Sequence, residues 1–185
     1  MQPLFETERL RAYVSRVEFA KPLLAYERGN IQACKPFSVT HQSSYYTLAS
    51  FQALCSRQAS LYEQKRMLPL LFFLKQDRKH IVGTVYLNHI VWGASLSAKI
   101  GYSIGSGFWR QGYGTEAVAS VISYAFDHMK LHRLEAHIMS SNEASRRLVT
   151  RLGFLDEGVC RDYLFLNGRW EDHLRYALCN DEARP

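Results

Sequence analysis

The chain has 185 residues, 47% of them apolar, with a formal charge of +6 and a pI near 9.2. That length and apolar share fit one domain spanning residues 1–185, and the longest apolar runs, such as LPLLFFL, are too short to cross a bilayer. The basic surplus fits an anionic ligand, an acidic partner surface or nucleic acid, but the positive residues are scattered and no basic run resembles a DNA-reading motif, so no direct DNA binding is expected.

In chain order, the first residues carry Glu6, Glu8, Arg9 and Arg11 where a secretion signal needs an apolar stretch, so the chain is read as soluble, unprocessed and cytoplasmic, with no membrane partner. Residues 9–14 predict a strand; residues 17–27 and 44–63 predict helices joined by a loop around Lys35, Pro36 and Phe37. Strands follow at residues 68–74 and 81–91, separated by the turn-prone Gln76, Asp77 and Arg78, and again at residues 99–104. Ala117, Val118, Val121, Ile122, Ala125, Phe126 and Met129 then recur at helical spacing. Residues 132–139 alternate like a strand. Ser141 and Asn142 are N-cap types for a short helix with Leu148, Val149 and Leu152 inward and Gly153 as its stop. Residues 159–166 and 169–178 flank Asn167 and Gly168, a strong hairpin signal, and residues 180–185 read as a soft end. Strand, two helices, three strands, helix, strand, helix and hairpin make an α/β (α+β) fold with a largely antiparallel sheet. Cys34, Cys55, Cys160 and Cys179 lie far apart without a C-x-x-C pair, which argues against a zinc site or disulfide framework and suits a reducing cytosol.

The stretch GSGFWRQGYGT, residues 105–115, runs from a strand end into a helix. Such a junction leaves backbone N–H groups unpaired at the positive end of the helix dipole, and Gly112 and Gly114 let a phosphate approach them closely, with Arg110 adding charge. The bland alternative is a tight turn. No G-K-[ST] follows, which excludes a P-loop; counted from Gly112 a G-x-G-x-x-A pattern is met by Gly114 and Ala117, but the repeated strand and helix units of a dinucleotide fold are missing.

A second constellation, SSNEASRRLVTRLGF at residues 140–154, stands downstream. With GYSIGSGFWRQGYGTEAV, the opening ETERLRAY and the closing DYLFLNGRWEDHLRYAL, it resembles the GNAT superfamily of acyl-coenzyme A dependent N-acetyltransferases, and within it the RimJ/RimL branch that acetylates ribosomal-protein N-termini. The resemblance covers residues 7–178, and residues 32–63, the acceptor-shaping region of that family, match loosely. It implies the GNAT fold, a twisted sheet splayed at its central strands, with acetyl-CoA as co-substrate and no metal. It further implies that Arg110, Gln111, Gly112, Tyr113, Gly114 and Thr115 hold the pyrophosphate, with Trp109 at a position where the family often has Gln or Arg. Asn142 and Ser145 are implied to line the pantetheine arm, and a backbone N–H near Ile104 to face the thioester carbonyl.

Direct transfer to an amine needs the neutral amine, oxyanion donors and help for the departing thiolate. Only about 10% of an α-amino group of pKa about 8 is uncharged at pH 7, against about 0.04% of a lysine, so a protein N-terminus asks less of a base. His137, five residues before Asn142, is the candidate base, or else a structural histidine. Ser145 is the candidate acid, since Val149 stands where some relatives carry a tyrosine; alternatively its hydroxyl bonds its own helix backbone. Asn142 serves as N-cap, pantetheine ligand or both. Tyr102, Tyr163 and Asp162 are expected to line the acceptor pocket or to be sheet packing, and Arg146, Arg147 and Arg151 to approach the adenosine end or to be solvated. Lys99 stands where many relatives place an acid. The acceptor is read as the N-terminal alanine of a ribosomal protein, with a polyamine or antibiotic amine, or a non-catalytic coenzyme A binding module, as alternatives.

Overall fold

Alternating strands give a sheet two different faces, and the computed structural model, which describes residues 2–39 and 41–183, pairs eight strands into one sheet. The elements are β1 (Phe5–Glu6), β2 (Leu10–Val14), α1 (Ala20–Cys34), α2 (Leu48–Glu63), β3 (Leu68–Leu74), β4 (Asp77–Val91), β5 (Ser97–Ile104), α3 (Tyr113–Ser123, continued by a π turn at Tyr124–His128), β6 (Arg133–Met139), α4 (Glu143–Arg151), β7 (Leu155–Leu166) and β8 (Arg169–Cys179). The strand order is β1-β2-β3-β4-β5-β6-β8-β7, and only β5 and β6 run parallel. The expected mixed, largely antiparallel fold is the one adopted. Among the described residues no helix is long and apolar enough to cross a membrane.

One face of the sheet, through Val85, Leu87, Ala98, Ile100, Leu134, Ala136 and Ile138, packs on Ala117, Val118, Val121 and Val149 of α3 and α4. The other, through Tyr13, Leu71, Phe73 and Ile81, packs on Leu23, Tyr26, Phe51 and Cys55 of α1 and α2. Each large apolar side chain so buried contributes roughly 1.5–3 kcal/mol. The apolar positions expected in α3 are buried at Ala117, Val118, Val121, Ile122 and Ala125, with Phe126 and Met129 packed at the cluster margin. Asn142 caps α4 by accepting the Ser145 N–H at 3.2 Å, and Gly153 leaves the helix at φ +88°, a conformation that favours glycine.

Several boundaries differ from expectation. The first helix runs to Cys34 rather than ending at Glu27. Gly29 is disfavoured inside a helix, but the Asn30 amide donates to the Tyr26 carbonyl at 2.7 Å and accepts the Ser106 N–H at 2.8 Å, a tertiary contact that local pattern does not reveal. The turn before β4 lies at Lys75 and Gln76, so Asp77 and Arg78 belong to the strand. α2 starts at Leu48, after a 3-10 turn at Ser43–Tyr45, and β7 starts at Leu155 with a register shift near Gly158, at φ +103°. β1, only two residues long, has no sequence signature. Of the soft end, Asn180 accepts the Ala183 N–H at 3.2 Å; Arg184 and Pro185 lie outside the described residues.

The parallel pairing of β5 with β6 stops after Ser97↔Arg133, Ala98↔Leu134 and Lys99↔Glu135. Beyond it β5 stays paired with β4 as far as Ile104, and β6 with β8 as far as Met139. The two central strands therefore part, as expected, and leave a gap between Ile100–Ile104 and Ala136–Met139.

Candidate active site

At the mouth of that gap the glycine stretch starts α3. Gly112 is the N-cap, at φ +82°, and the first bond of the helical ladder runs from the Glu116 N–H to its carbonyl at 3.1 Å. The N–H groups of Gln111, Gly112, Tyr113, Gly114 and Thr115 meet no acceptor among the described residues, so the helix presents a concentrated set of donors to an anion. Gly114 is needed for close packing: a Cβ there would stand 3.1 Å from Leu148 Cδ1 and 3.3 Å from Ile104 Cγ1. Arg110 lies in the left-handed region at φ +60°.

Ile104 closes β5 opposite Gly83. The Gly105 N–H donates to the Val82 carbonyl at 2.8 Å, which makes Ile104↔Gly83 a non-hydrogen-bonded pair and turns the Ile104 N–H away from β4 and toward the gap. Its carbonyl accepts the Trp109 indole N–H at 2.7 Å. Trp109, half exposed, thus ties the glycine stretch to the strand end.

From α4, Asn142 Oδ1 is used in capping, which leaves its amide N–H groups available. The Ser145 hydroxyl has no hydrogen-bond partner among the described residues; only its N–H and carbonyl are engaged. The alternative of a hydroxyl bonded to its own helix is therefore not what the helix shows. Tyr102 takes the sheet-packing alternative. It shares the α3 face of β5 with Val85 opposite, and its hydroxyl donates to the Ser145 carbonyl at 3.1 Å; burial pushes that phenol up to about 12. Tyr102 bridges β5 to α4 and does not line the opposite face. Arg146 donates to the Tyr176 hydroxyl at 3.3 Å and Arg147 to Glu143 at 2.9 Å; with Arg151 they line an open groove of about 600 Å³.

The opposite face carries Lys99, His137, Tyr163 and His173. The Lys99 ammonium donates to the Tyr163 hydroxyl at 3.0 Å. The His137 and Tyr163 rings stack at 4.5 Å and 5°, and His173 lies 5.1 Å from Tyr163. Burial, then the charge of Lys99, lowers His137 to about 4, Glu135 countering in part, so its imidazole is neutral at pH 7. Asp162 is exposed, at φ +46°, with its N–H held by Asp172 at 2.8 Å. It stands in the irregular stretch of β7 beside Tyr163. The hairpin tip reaches α1, Asn167 donating to the Lys35 carbonyl at 2.9 Å.

Two features carry no signal in the sequence. Arg9 lies across the glycine stretch: it pairs with Glu116 at 2.6 Å, donates to the Gln111 carbonyl at 2.9 Å and covers the Tyr113 ring at 4.3 Å. Glu116 also accepts from the Thr7 hydroxyl at 2.5 Å and the Arg9 N–H at 2.9 Å. The 107-residue separation hides this tie. The second is Glu27, mostly buried on α1 beside the tyrosines of the other helical layer. Among the described residues no group of three or more His, Cys, Asp or Glu is placed to hold a metal.

An anion-binding helix start, a gap between two parallel strands and an inward N–H define a site for an extended, phosphorylated acyl carrier. Residues 22–155 match the acetyltransferase (GNAT) domain family; the chain belongs to that family and is an acyl-CoA dependent N-acetyltransferase. It is 30% identical over 179 residues, 97% of this chain and 92% of the other, to the ribosomal protein uS5-alanine N-acetyltransferase of Escherichia coli. The solved ribosomal-protein-S5-alanine acetyltransferase of Vibrio fischeri superposes with a TM-score of 0.92 at 26% identity, covering 98% of each chain. Mycobacterium smegmatis RimJ in complex with CoA-disulfide superposes at 0.87, also at 26% identity, covering 95% of this chain and 84% of that one.

Proposed function

We propose that this chain, acting as one cytoplasmic acetyltransferase unit, acetylates the α-amino group of an N-terminal alanine on a ribosomal protein. The observation that carries the catalytic part is the Ile104 N–H turned into the gap above a glycine-lined helix start. The choice of acceptor is supported by the near full-length likeness to the uS5-alanine enzymes.

The residues present fit acetyl-CoA: unpaired N–H groups suit a diphosphate, and the gap suits an extended arm. When bound, it supplies the thioester whose carbonyl is the electrophile. The amides of residues 111–115, with Arg110 and Gln111, hold the diphosphate. Asn142 spends its oxygen on the α4 cap and turns its N–H groups to the arm. The Ile104 N–H stabilises charge on the carbonyl oxygen, a contribution of about 3–4 kcal/mol where such donors have been removed elsewhere. The Ser145 hydroxyl, unengaged, donates to the departing sulfur. His137, held at about 4 by burial and the charge of Lys99, is neutral at pH 7 and able to accept a proton. It suits a later proton, because the nitrogen becomes far more acidic once its bond to carbon forms.

The test offers the purified enzyme acetyl-CoA with alanine-initiated peptides, spermidine and an aminoglycoside, read by mass spectrometry. Peptide turnover is expected to dominate and to fall as salt rises. Faster turnover of spermidine or aminoglycoside overturns the reading.

A further inference from the structure

The layer built by α1 and α2 contains a cavity of about 220 Å³ whose lining includes Glu27, Asn30, Cys34, His41, Tyr45 and Tyr46. It adjoins the catalytic end of β5. On the same helix as Glu27, the Tyr26 hydroxyl donates to Ser103 Oγ at 3.0 Å and Cys34 Sγ lies 3.6 Å from it, and Ser103 precedes Ile104. On the neighbouring strand the Tyr86 ring fills the space over Gly101, where a Cβ would stand 2.3 Å from the ring. Tyr45 stacks on His41 at 4.0 Å and meets Tyr46 edge-on at 5.3 Å.

Glu27 is the anomaly in this wall. It has no hydrogen bond and no ion pair with any described residue. The nearby cations are otherwise disposed: Arg28 donates to the Tyr46 carbonyl at 2.6 Å, and Lys35 is exposed at the rim. Burial raises the Glu27 carboxyl above its usual range, and its charge, after burial, adds to the upward shifts of Tyr45, Tyr46 and Tyr86, and also of Tyr26. A mostly buried carboxylate without a counter-ion is costly to folding. Sharing its cavity with Tyr45, Tyr46 and Phe51 and set beside the gap, it is complementary to a cation, since aromatic rings and a carboxylate both attract positive charge.

We propose that Glu27 anchors the acceptor as a primary ammonium within this tyrosine-lined cavity and takes one proton from it before transfer. This rests on the amine-acetylating activity and not on the ribosomal alanine. The balance is R–NH3+ plus carboxylate giving R–NH2 plus carboxylic acid. The nitrogen pair then bonds the acetyl carbon as the carbon–sulfur bond breaks, with its electrons leaving on sulfur. Of the three ammonium protons one goes to Glu27 and on to solvent, one stays on the amide, and one is matched by the proton that makes the thiol. The cavity places Cys34 from α1, Lys35 at its C-cap, and His41, Tyr45 and Tyr46 from the segment before α2 with Glu27, and its charge also reaches Tyr26 on α1 and Tyr86 on β4.

The experiment compares the wild-type enzyme with Glu27→Gln and Glu27→Asp, using an alanine-initiated hexapeptide and, in parallel, spermidine. In Glu27→Gln the acceptor KM is expected to rise at least about tenfold, the acetyl-CoA KM to stay within about twofold, and the acid limb of kcat/KM to move up toward the free amine's pKa. Glu27→Asp is expected to restore part of the affinity and the original limb. An acceptor KM and acid limb unchanged in Glu27→Gln overturn the proposal. If the wild type acetylates spermidine and not the peptide, the alanine reading falls, and the same KM and pH comparison on spermidine decides for or against Glu27.

Discussion

The two helical layers on the sheet do different work with different materials. In the proposed reaction the α3 and α4 side handles the donor with backbone: N–H groups freed by Gly112, close packing at Gly114 and an apolar cluster that includes Val118, Val121 and Val149. Such a site is indifferent to most side chains. The α1 and α2 side is built from tyrosines, a partly buried carboxylate and a histidine, so its properties are set by side chains that titrate and rotate. On that reading the donor is gripped by main-chain geometry, whereas the proposed acceptor side is free to be retuned one side chain at a time.

The sharpest way to break that division is to damage the acceptor layer alone. Phe51→Ala should cost about 3–5 kcal/mol in denaturant unfolding, since Phe51 is 1% exposed. Calorimetry on the folded fraction should still find acetyl-CoA affinity within about threefold; a larger loss would mean that the two layers are coupled. Next in size, Ser145→Ala should lower kcat about 100-fold with acetyl-CoA affinity retained, because its hydroxyl carries no structural bond; an equal loss of affinity would make Ser145 a ligand instead of an acid. Gly112→Ala places a Cβ at φ +82° and 3.2 Å from Arg9 Nη2, which should cost about 1–2 kcal/mol and weaken acetyl-CoA binding about tenfold.

The smallest expected effect is on pH dependence. Glu27 is raised above its ordinary 4.5, so its penalty is absent at acid pH, where the carboxyl is protonated both folded and unfolded, and develops as pH rises through 4.5 to the folded value. Glu27→Gln should therefore raise Tm by a few degrees at pH 7 and leave it unchanged near pH 4. Glu116 has the opposite sign. Burial opposes its charge, but Thr7 and Arg9 prevail and hold it below 4.5, so its stabilisation is present above pH 4.5 and lost as pH falls through the lowered value. Glu116→Gln should flatten the acid side of the stability profile.

The donor layer is also the legible one. Glycines before an amphipathic run, and Asn142 before an apolar triplet, are local signals, because helix starts are determined by neighbours within one turn. The Asn167-Gly168 hairpin and the α3 stripe are readable for the same reason. What escapes is non-local. The extension of α1 past Glu27 depends on Asn30 meeting Ser106, and Arg9 reaches Glu116 across more than half the chain. Local pattern does not decide between the two readings of Tyr102, because parity along β5 says which residues share a face but not which helix lies over it. Nothing in the sequence around Glu27 announces that a cavity of tyrosines will close around it.

The Trp109 indole is fastened to the carbonyl of Ile104, the residue whose amide is proposed to meet the thioester, and on that reading its fluorescence is a built-in optical reporter of the reaction centre. Replacing Trp92 and Trp170 by phenylalanine would leave one emitter among the three tryptophans, and stopped-flow mixing with coenzyme A would then time the arrival of the donor directly, without labels and ahead of any chemistry.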